Sequence, residues 1–175
     1  FCNEGPYEIK NVEIKSNDKV IDCGANIGLF STFAAQRNGE VFAFEPVPTT
    51  REYLQQNADL YPDKIHVEPY ALSDKNGKTT MFITDSNGSS TLIHERVNEL
   101  DQTTVPTITL DQFVHERNLA RVDFIKADIE GAERLMLAGA QETLRRFAPK
   151  LAICIYHLPD DKEVLETLIK QANPD

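Results

Sequence analysis

Basic residues are scarce in this chain of 175 residues, where 18 Lys and Arg stand against 28 Asp and Glu and the net charge is −10. Proteins bind nucleic acids and anionic membranes largely by neutralising phosphates with Lys and Arg. No basic stripe occurs along the chain, so we expect neither a nucleic-acid partner nor a membrane partner. The hydrophobic share of 41% and the charged share of 26% are near globular averages and argue against general disorder.

Cysteines and long apolar runs are also few. The spacing of Cys2, Cys23 and Cys154 fits no CxxC zinc or redox motif. Because Cys23 and Cys154 lie within apolar runs, we expect buried, reduced thiols and a reducing, cytoplasmic location. No stretch approaches the ~20 apolar residues of a membrane-spanning helix, and no signal peptide is visible. The chain starts at Phe1 without a methionine, so the possibility that it is a piece of a longer protein stays open.

Apolar runs alternate with amphipathic segments in the order typical of a parallel sheet with crossover helices. Buried strands are predicted at 19–22, 41–44, from 65, at 122–126 and at 151–156. Helices are predicted at 29–37, 49–60, 111–118, 131–147 and 160–172. The strand at 151–156 is so apolar that we expect it to be central and buried on both faces. The predicted fold is a doubly wound, mostly parallel, Rossmann-like α/β sheet in a single domain, 1–175.

Residues 73–110 break this rhythm. Asn76-Gly77 is a hairpin signal, residues 79–84 alternate like a strand, and Pro106 indicates a sheet edge within a second strand candidate. We therefore expect an antiparallel insertion at the edge of the sheet. It is either an insertion without a functional role or a partial lid over the site. The chain ends where this type of fold usually adds two more strands, so we expect the last strands of the full fold to be missing.

The most informative segment is a strand–loop–helix transition at 20–28, Val-Ile-Asp-Cys-Gly-Ala-Asn-Ile-Gly. Glycines let backbone approach a ligand closely, and a helix start offers unpaired N–H groups to a carboxylate. Glu45 ends the next strand, where an acid can take both hydroxyls of a ribose. The predicted cofactor contacts of the loop are Asp22, Gly24, Ala25, Asn26 and Gly28.

The glycine spacing favours one nucleotide ligand over another. A nicotinamide enzyme uses G-x-G-x-x-G, whereas three residues separate Gly24 from Gly28, and the close glycine pair that admits a pyrophosphate is missing. An adenosyl ligand with an amino-acid tail fits better, because Asp22 can reach its ammonium group directly or through water. We therefore predict S-adenosylmethionine as the cofactor. Simple helix capping by Asp22 and Glu45 is the alternative.

A third segment follows the third strand, at the place where the adenine lies in this architecture. Backbone groups of Ala71 and Leu72, with the hydroxyl of Ser73 or the carboxylate of Asp74, are predicted to contact the purine edge. A plain turn in which Asp74 bonds its own backbone is the alternative.

The run Phe124-Ile-Lys-Ala-Asp-Ile-Glu-Gly-Ala-Glu133 is the second signature. It brings Lys126, Asp128, Glu130 and Glu133 to the carboxyl edge of the sheet, where ligands bind. We place Glu130 and Glu133 in the first turn of the next helix, where acids favour the dipole. That effect does not account for Asp128 at the strand tip.

Together, the loop 22–28, the turn 44–46, the run 126–133 and Tyr156-His157 resemble the FkbM-type methyltransferases. The segments 89–92 and 110–113 also look like parts of that pattern, and the resemblance covers roughly residues 15–170. It implies a class I methyltransferase fold, S-adenosylmethionine as donor and O-methylation of a sugar or small metabolite. It fixes neither the acceptor nor the oligomeric state.

Methyl transfer to a hydroxyl also requires loss of a proton, which a base or a metal can assist. Asp128 is the first predicted base and His157, at the tip of the fifth strand, is the second. We expect the two to face one another across the acceptor cleft, with the methyl group delivered between them. Three alternatives stay open. His157 could pair with Asp160 and Asp161 instead. Acids including Asp128 could hold a divalent metal, although our predicted site contains no metal ligand. The chain could also be a non-catalytic adenosylmethionine-binding or assembly module.

Overall fold

The computed structural model describes residues 12–83, 90–91 and 101–174, with side chains for 12–82 and 102–174. The strands are β1 (Lys19–Cys23), β2 (Glu40–Phe44), β3 (Ile65–Glu68), β4 (Ala71–Leu72), β5 (Gly77–Ile83), β6 (Ser90–Thr91), β7 (Asp101–Ile108), β8 (Phe124–Ala127) and β9 (Lys150–Ile153). The helices are α1 (Leu29–Gln36), α2 (Pro48–Ala58), α3 (Leu110–Glu116), α4 (Glu133–Ala138), α5 (Gln141–Phe147) and α6 (Asp161–Ala172). None of the helices in these ranges is long and apolar enough to cross a membrane.

The main sheet has the order β3-β2-β1-β8-β9, and every neighbouring pair in it is parallel. The order in which strands are added across the sheet reverses at β1: β2 and β3 are added on one side of it, and β8 and β9 on the other. This is the doubly wound architecture that the sequence predicts. All five carboxyl ends therefore lie along one edge of the sheet.

Helices cover both faces of this sheet, because successive strand residues point to opposite sides. In β1, Val20 packs with α1 and α2 on one face, whereas Ile21 packs with α3 to α6 on the other. Phe124 and Ile125 of β8 divide in the same way. A strand buried on both faces favours apolar residues on both, which explains the largely apolar character of β1, β2 and β8; Asp22 and Lys126 are the charged residues within β1 and β8 after their first positions.

A second sheet, of order β4-β7-β5-β6, confirms the predicted antiparallel insertion. β5 and β7 pair antiparallel from Gly77 opposite Thr107 to Ile83 opposite Asp101, and β4 adds to β7 in parallel. Asn76-Gly77 therefore leads from β4 to β5, which are not neighbours, and the hairpin prediction is wrong there. Pro106 lies in an internal strand rather than at an edge.

Two further predictions are corrected by the structure. The helix expected at 131–147 is two helices: α4 ends at Ala138 with Gly139 as its C-cap, and α5 begins at Gln141. Gly139 lies against β4, where a Cβ would be 2.1 Å from the carbonyl oxygen of Ser73. The last strand, β9, is not central: it ends the order of the described strands, and its residues are only half-buried. Its apolar character instead reflects packing of Leu151 and Ile153 on one helix layer and Ala152 on the other.

Candidate functional site

The candidate site lies where three neighbouring strands end together. Cys23 of β1 is in register with Phe44 of β2 on one side and with Ala127 of β8 on the other. The next residues along these strands are Gly24, Glu45 and Asp128. The structure thus brings together the glycine loop, the acid after β2 and the acid after β8.

The glycine loop is held tightly between β2 and β8. The N–H groups of Gly24 and Ala25 both donate to the carbonyl of Phe44, at 3.1 and 2.9 Å. Gly24 has φ +74°, and a Cβ there would lie 2.3 Å from the carbonyl oxygen of Asp128. Gly28 has φ +91°, and a Cβ there would lie 2.7 Å from Leu54. Close packing against backbone therefore requires glycine at position 24, besides any approach of a ligand. At position 28 the left-handed φ is the constraint, because the methyl group of Leu54 can shift.

Glu45 joins the loop to the end of β2. Its carboxylate accepts hydrogen bonds from the N–H of Asn26 at 3.1 Å and from the N–H of Val47 at 2.9 Å. Burial raises the pKa of Glu45, although these two N–H donors and the positive charge of Arg51 oppose the rise. One hydrogen bond at each oxygen leaves lone pairs for further donors such as hydroxyls.

Burial of Asp22 argues against the direct contact with a ligand ammonium group that the sequence suggests. It is fully buried, and its carboxylate accepts from the Ser31 hydroxyl at 2.6 Å and lies 3.0 Å from Nζ of Lys126. No surface of Asp22 is exposed for direct contact with a ligand. The carboxylate is instead part of a buried polar group beneath the loop.

The predicted adenine contacts divide between two environments. Ala71 packs with Val47, just after Glu45, in a small apolar cluster. Leu72 belongs to the main core, and the N–H of Ser73 donates to the carbonyl of Ile108 at 3.1 Å. The structure thus places Ala71 close to the Glu45 turn, whereas Leu72 and Ser73 are buried against β7 and the helices beyond it.

His157 lies among three carboxylates. Its Nε2 is 3.4 Å from Asp128 Oδ1 and 3.7 Å from Glu130 Oε2, and its Nδ1 is 3.0 Å from Glu133 Oε1. The His157 side chain is only 5% exposed, compared with 26% for Asp128. At 3.4 Å no acceptor can lie between Asp128 and His157, so the predicted arrangement across a cleft is wrong. The side of this pair that is open to solvent belongs to Asp128.

Glu133 is the member of this cluster that sequence reasoning missed. From the sequence, Glu133 is attributed to the helix dipole alone. In the structure its side chain is completely buried against His157, and its Oε1 also accepts a hydrogen bond from the N–H of Ile129 at 2.8 Å. Burial raises the pKa of Glu133. Glu130 is not in the helix, which begins at Glu133; it has φ +55° in the preceding turn.

The alternative partners proposed for His157 are occupied elsewhere. Asp160 and Asp161 each accept from the guanidinium of Arg134 at 2.8 Å. Asp128, Glu133 and His157 each offer one ligand atom within 4.8 Å of the others, a spacing that could hold a metal ion. The same three groups are equally compatible with an imidazole that bridges two acids.

Comparison with known proteins assigns the family. The model of the methyltransferase FkbM domain matches residues 22–173. The chain is 27% identical over 160 residues to the hexuronic acid methyltransferase AglP of Haloferax volcanii, covering 91% of this chain and 64% of that protein. It is 27% identical over 149 residues to the 2-O-methyltransferase NoeI of Sinorhizobium fredii, covering 75% and 61%. The chain thus spans less than two-thirds of the length of these relatives.

A solved structure supports the fold. The methyltransferase FkbM from Methylobacillus flagellatus superposes with a TM-score of 0.71 at 24% identity, covering 93% of this chain and 39% of that one. The family match begins at Asp22 and so takes in the glycine loop, the turn at Glu45 and the cluster around His157. The chain belongs to the FkbM methyltransferase family.

Proposed function

We propose that this chain is the donor-binding part of an S-adenosylmethionine-dependent O-methyltransferase that acts on a hydroxyl of a sugar or small metabolite. One observation carries the proposal: the glycine loop and Glu45 are joined by the 3.1 Å hydrogen bond from Asn26. A loop that opens a helix and an acid at the next strand tip are the two parts that a nucleoside with a carboxylate tail requires.

The residues present fit this donor. Helix α1 begins at Gly28 with no side-chain cap and no acid in its first turn, so its first N–H groups suit a carboxylate. Glu45 would accept from the ribose hydroxyls, while Gly24, Ala25 and Asn26 would line the loop. Ala71, Leu72 and Ser73 are proposed to lie beside the adenine, with Ala71 nearest to Glu45. Asp22 would act from beneath the loop.

When bound, S-adenosylmethionine supplies a methyl group that is already activated on a sulfonium. The protein then has to orient the acceptor and receive its proton. We assign the proton to Asp128, because this is the more exposed member of the pair. His157 would hold Asp128 through Nε2, and buried Glu133 would hold His157 through Nδ1. The assignment requires no metal ion.

The acceptor class follows from relatives rather than from the described residues alone. AglP is named for hexuronic acid and NoeI for 2-O-methylation, and a third relative, from Streptomyces tacrolimicus, is a 31-O-demethyl-FK506 methyltransferase with 28% identity over 167 residues. Two of these names give an acceptor, hexuronic acid and 31-O-demethyl-FK506, and the name of NoeI gives methylation at an oxygen. We propose a cytoplasmic location, which is consistent with the free, buried thiols of Cys23 and Cys154.

The test uses the full-length protein and donor labelled in its methyl group. Calorimetry measures donor binding first, and a screen of sugars and small hydroxylated metabolites then measures transfer of label. We expect both binding and transfer to oxygen. Binding without transfer to any acceptor would favour a non-catalytic adenosylmethionine-binding module. Preferential binding of a nicotinamide nucleotide would contradict the proposal.

A further inference from the structure

Lys126 is a buried charge directly beneath the glycine loop. Its side chain is 5% exposed and its Nζ lies 3.0 Å from Oδ1 of Asp22. The same ammonium group donates to the carbonyl of Gly24 at 2.8 Å and to the carbonyl of Cys23 at 3.3 Å. The ammonium group is thus ion-paired with one carboxylate and donates to two backbone carbonyls.

The arrangement follows from strand register. Asp22 and Lys126 are direct partners in the parallel pair β1–β8, so their side chains project from the same face of the sheet. That face is covered by α1, whose Ser31 donates to the other oxygen of Asp22 at 2.6 Å. The lysine thus links β8, β1 and the helix that the loop opens.

The lysine stays charged in this position. Burial lowers the pKa of Lys126, but the charge and hydrogen bond of Asp22 together with the charge of Asp128 outweigh this effect, so the pKa is raised above its ordinary value. A charged donor makes shorter and stronger hydrogen bonds than a neutral one. Two successive carbonyls of the loop are therefore drawn toward the sheet.

Holding these carbonyls fixes the direction of the loop peptides. The N–H groups of Gly24 and Ala25 point sideways to Phe44, and the N–H of Asn26 reaches Glu45. The carbonyls of Cys23 and Gly24 belong to the same peptide groups as the N–H groups of Gly24 and Ala25, so each such N–H would rotate with its carbonyl. The Asn26 N–H belongs to the next peptide group, and its contact with Glu45 depends on where the held Gly24–Ala25 peptide places Ala25.

We propose that Lys126 is a positioning residue for donor binding: it sets the conformation of the loop 24–28 from beneath, with Asp22 as its counter-ion, and does not touch the donor. This inference rests on the proposed function for its ligand. Its structural half, a loop ordered by one ammonium group, is independent of which nucleotide binds.

The experiment compares Lys126→Met, the double variant Asp22→Asn/Lys126→Met, and Leu165→Ala in the full-length protein. Removal of Lys126 alone leaves Asp22 buried without its counter-ion, so that variant is expected to lose stability. The double variant removes both charges and should recover part of this loss. Leu165 is buried in α6 and packs on the face of the sheet opposite to Asp22 and Lys126, so it is the control for lost stability alone.

Two readouts are measured beside thermal stability. Calorimetry with S-adenosylhomocysteine should show affinity weakened by at least about tenfold in both Lys126 variants, and amide hydrogen exchange in residues 24–28 should rise. Leu165→Ala should keep affinity and loop protection close to those of the wild type. The double variant should still bind weakly although part of its stability is recovered. If Lys126 only stabilised the fold, affinity would recover together with stability.

Normal affinity and normal loop protection in the double variant would overturn the inference, even if Lys126→Met alone does not fold. A wild-type protein that binds neither S-adenosylmethionine nor S-adenosylhomocysteine would instead overturn the proposed function. In that case, unchanged amide hydrogen exchange of residues 24–28 in the double variant would still contradict the proposal that Lys126 orders the loop. Increased exchange of these residues would support it.

Discussion

The backbone N–H of Asn26 donates to the carboxylate of Glu45 at 3.1 Å, across the ends of two neighbouring strands. Asn26 reaches this position with φ +52°, a left-handed conformation that Asn adopts more readily than most residues. The contact makes Glu45 part of the loop and gives its carboxylate a fixed orientation. The first two predictions test what this carboxylate does.

Replacing Glu45 with Ala should weaken donor binding by roughly 1.5–3 kcal/mol, the range for hydrogen bonds to a charged group. Calorimetry with S-adenosylmethionine measures the change. Glu40→Gln is the matched control, because Glu40 starts the same strand and pairs with Lys19 and His66 far from the loop. Unchanged affinity in the Glu45 variant would contradict the ribose assignment.

Donor affinity should also depend on pH through Glu45. Its ionised form is the better acceptor for hydroxyls, and burial raises its pKa above the ordinary 4.5. Affinity should therefore be full near neutrality and decline as pH falls through the raised pKa, at a higher pH than an exposed glutamate would give. Titrations between about pH 5 and 7 measure this, and Glu45→Gln should remove this component of the dependence.

Replacing Asp128 with Asn keeps the shape of the side chain and removes its charge. Turnover on a true acceptor should fall by about 10²–10⁴-fold, the typical effect of losing a general base, with donor affinity nearly unchanged. His157→Gln should act in the same direction but less strongly, because His157 acts through Asp128. The double variant should be no worse than Asp128→Asn alone, since the two act as a unit.

Full turnover in both single variants would mean that alignment alone drives the reaction. A chelator distinguishes the remaining alternative. We expect it to have no effect on the wild type; loss of activity that Mg²⁺ or Mn²⁺ restores would make Asp128, Glu133 and His157 metal ligands instead.

Gly139→Ala should destabilise the protein by about 1–3 kcal/mol, as overpacking does. Its Cβ would lie 2.1 Å from the carbonyl oxygen of Ser73, a backbone atom that cannot move independently of β4. Gly39→Ala is the graded control, because there the nearest atom is 3.0 Å away. Chemical denaturation measures both; an equal loss in the two would show that the contact with Ser73 is not the cause.

The thiols of Cys23 and Cys154 should be reduced and unreactive in the folded protein. Burial raises the pKa of Cys154 to about 11 and also raises that of Cys23, so little thiolate is present at neutral pH. Both are free in the structure, whereas Cys2 lies outside the described residues. Thiol counting without reductant should give no rapid reaction of Cys23 or Cys154 when the protein is folded and three free thiols when it is unfolded. Fewer than three would indicate a disulfide.

The sequence predicts the fold and its loop well because both depend on local patterns. Apolar runs and glycines at strand ends place Gly24, Glu45 and Asp128 at one edge as soon as the strands are parallel. Individual contacts are another matter, because they depend on register. Asp22 and Lys126 look like separate edge residues in the sequence, yet they are paired across β1 and β8.

The same reason explains the errors at His157 and β9. The topology brings the tips of β8 and β9 together, but it does not give the 3.4 Å between Asp128 and His157 or the burial of Glu133 behind them. An apolar strand can be central or can lie at an edge between two helix layers, and composition alone does not distinguish these cases. In the structure Asp22 and Lys126 each lie one residue before the last residue of their strand, which is the register that pairs them.

The close approach of Gly24 to the carbonyl of Asp128 has a consequence for how such a domain can change. With no room for a Cβ, the proposed donor side and the proposed proton-accepting side share one close backbone contact, so a side chain added at Gly24 would displace both. We therefore expect new acceptor preferences to arise in segments that do not touch this contact. An engineer who wishes to redirect the methyl group to another compound should leave Gly24, Asp128 and their neighbours untouched and diversify the surface facing Asp128 from elsewhere in the chain.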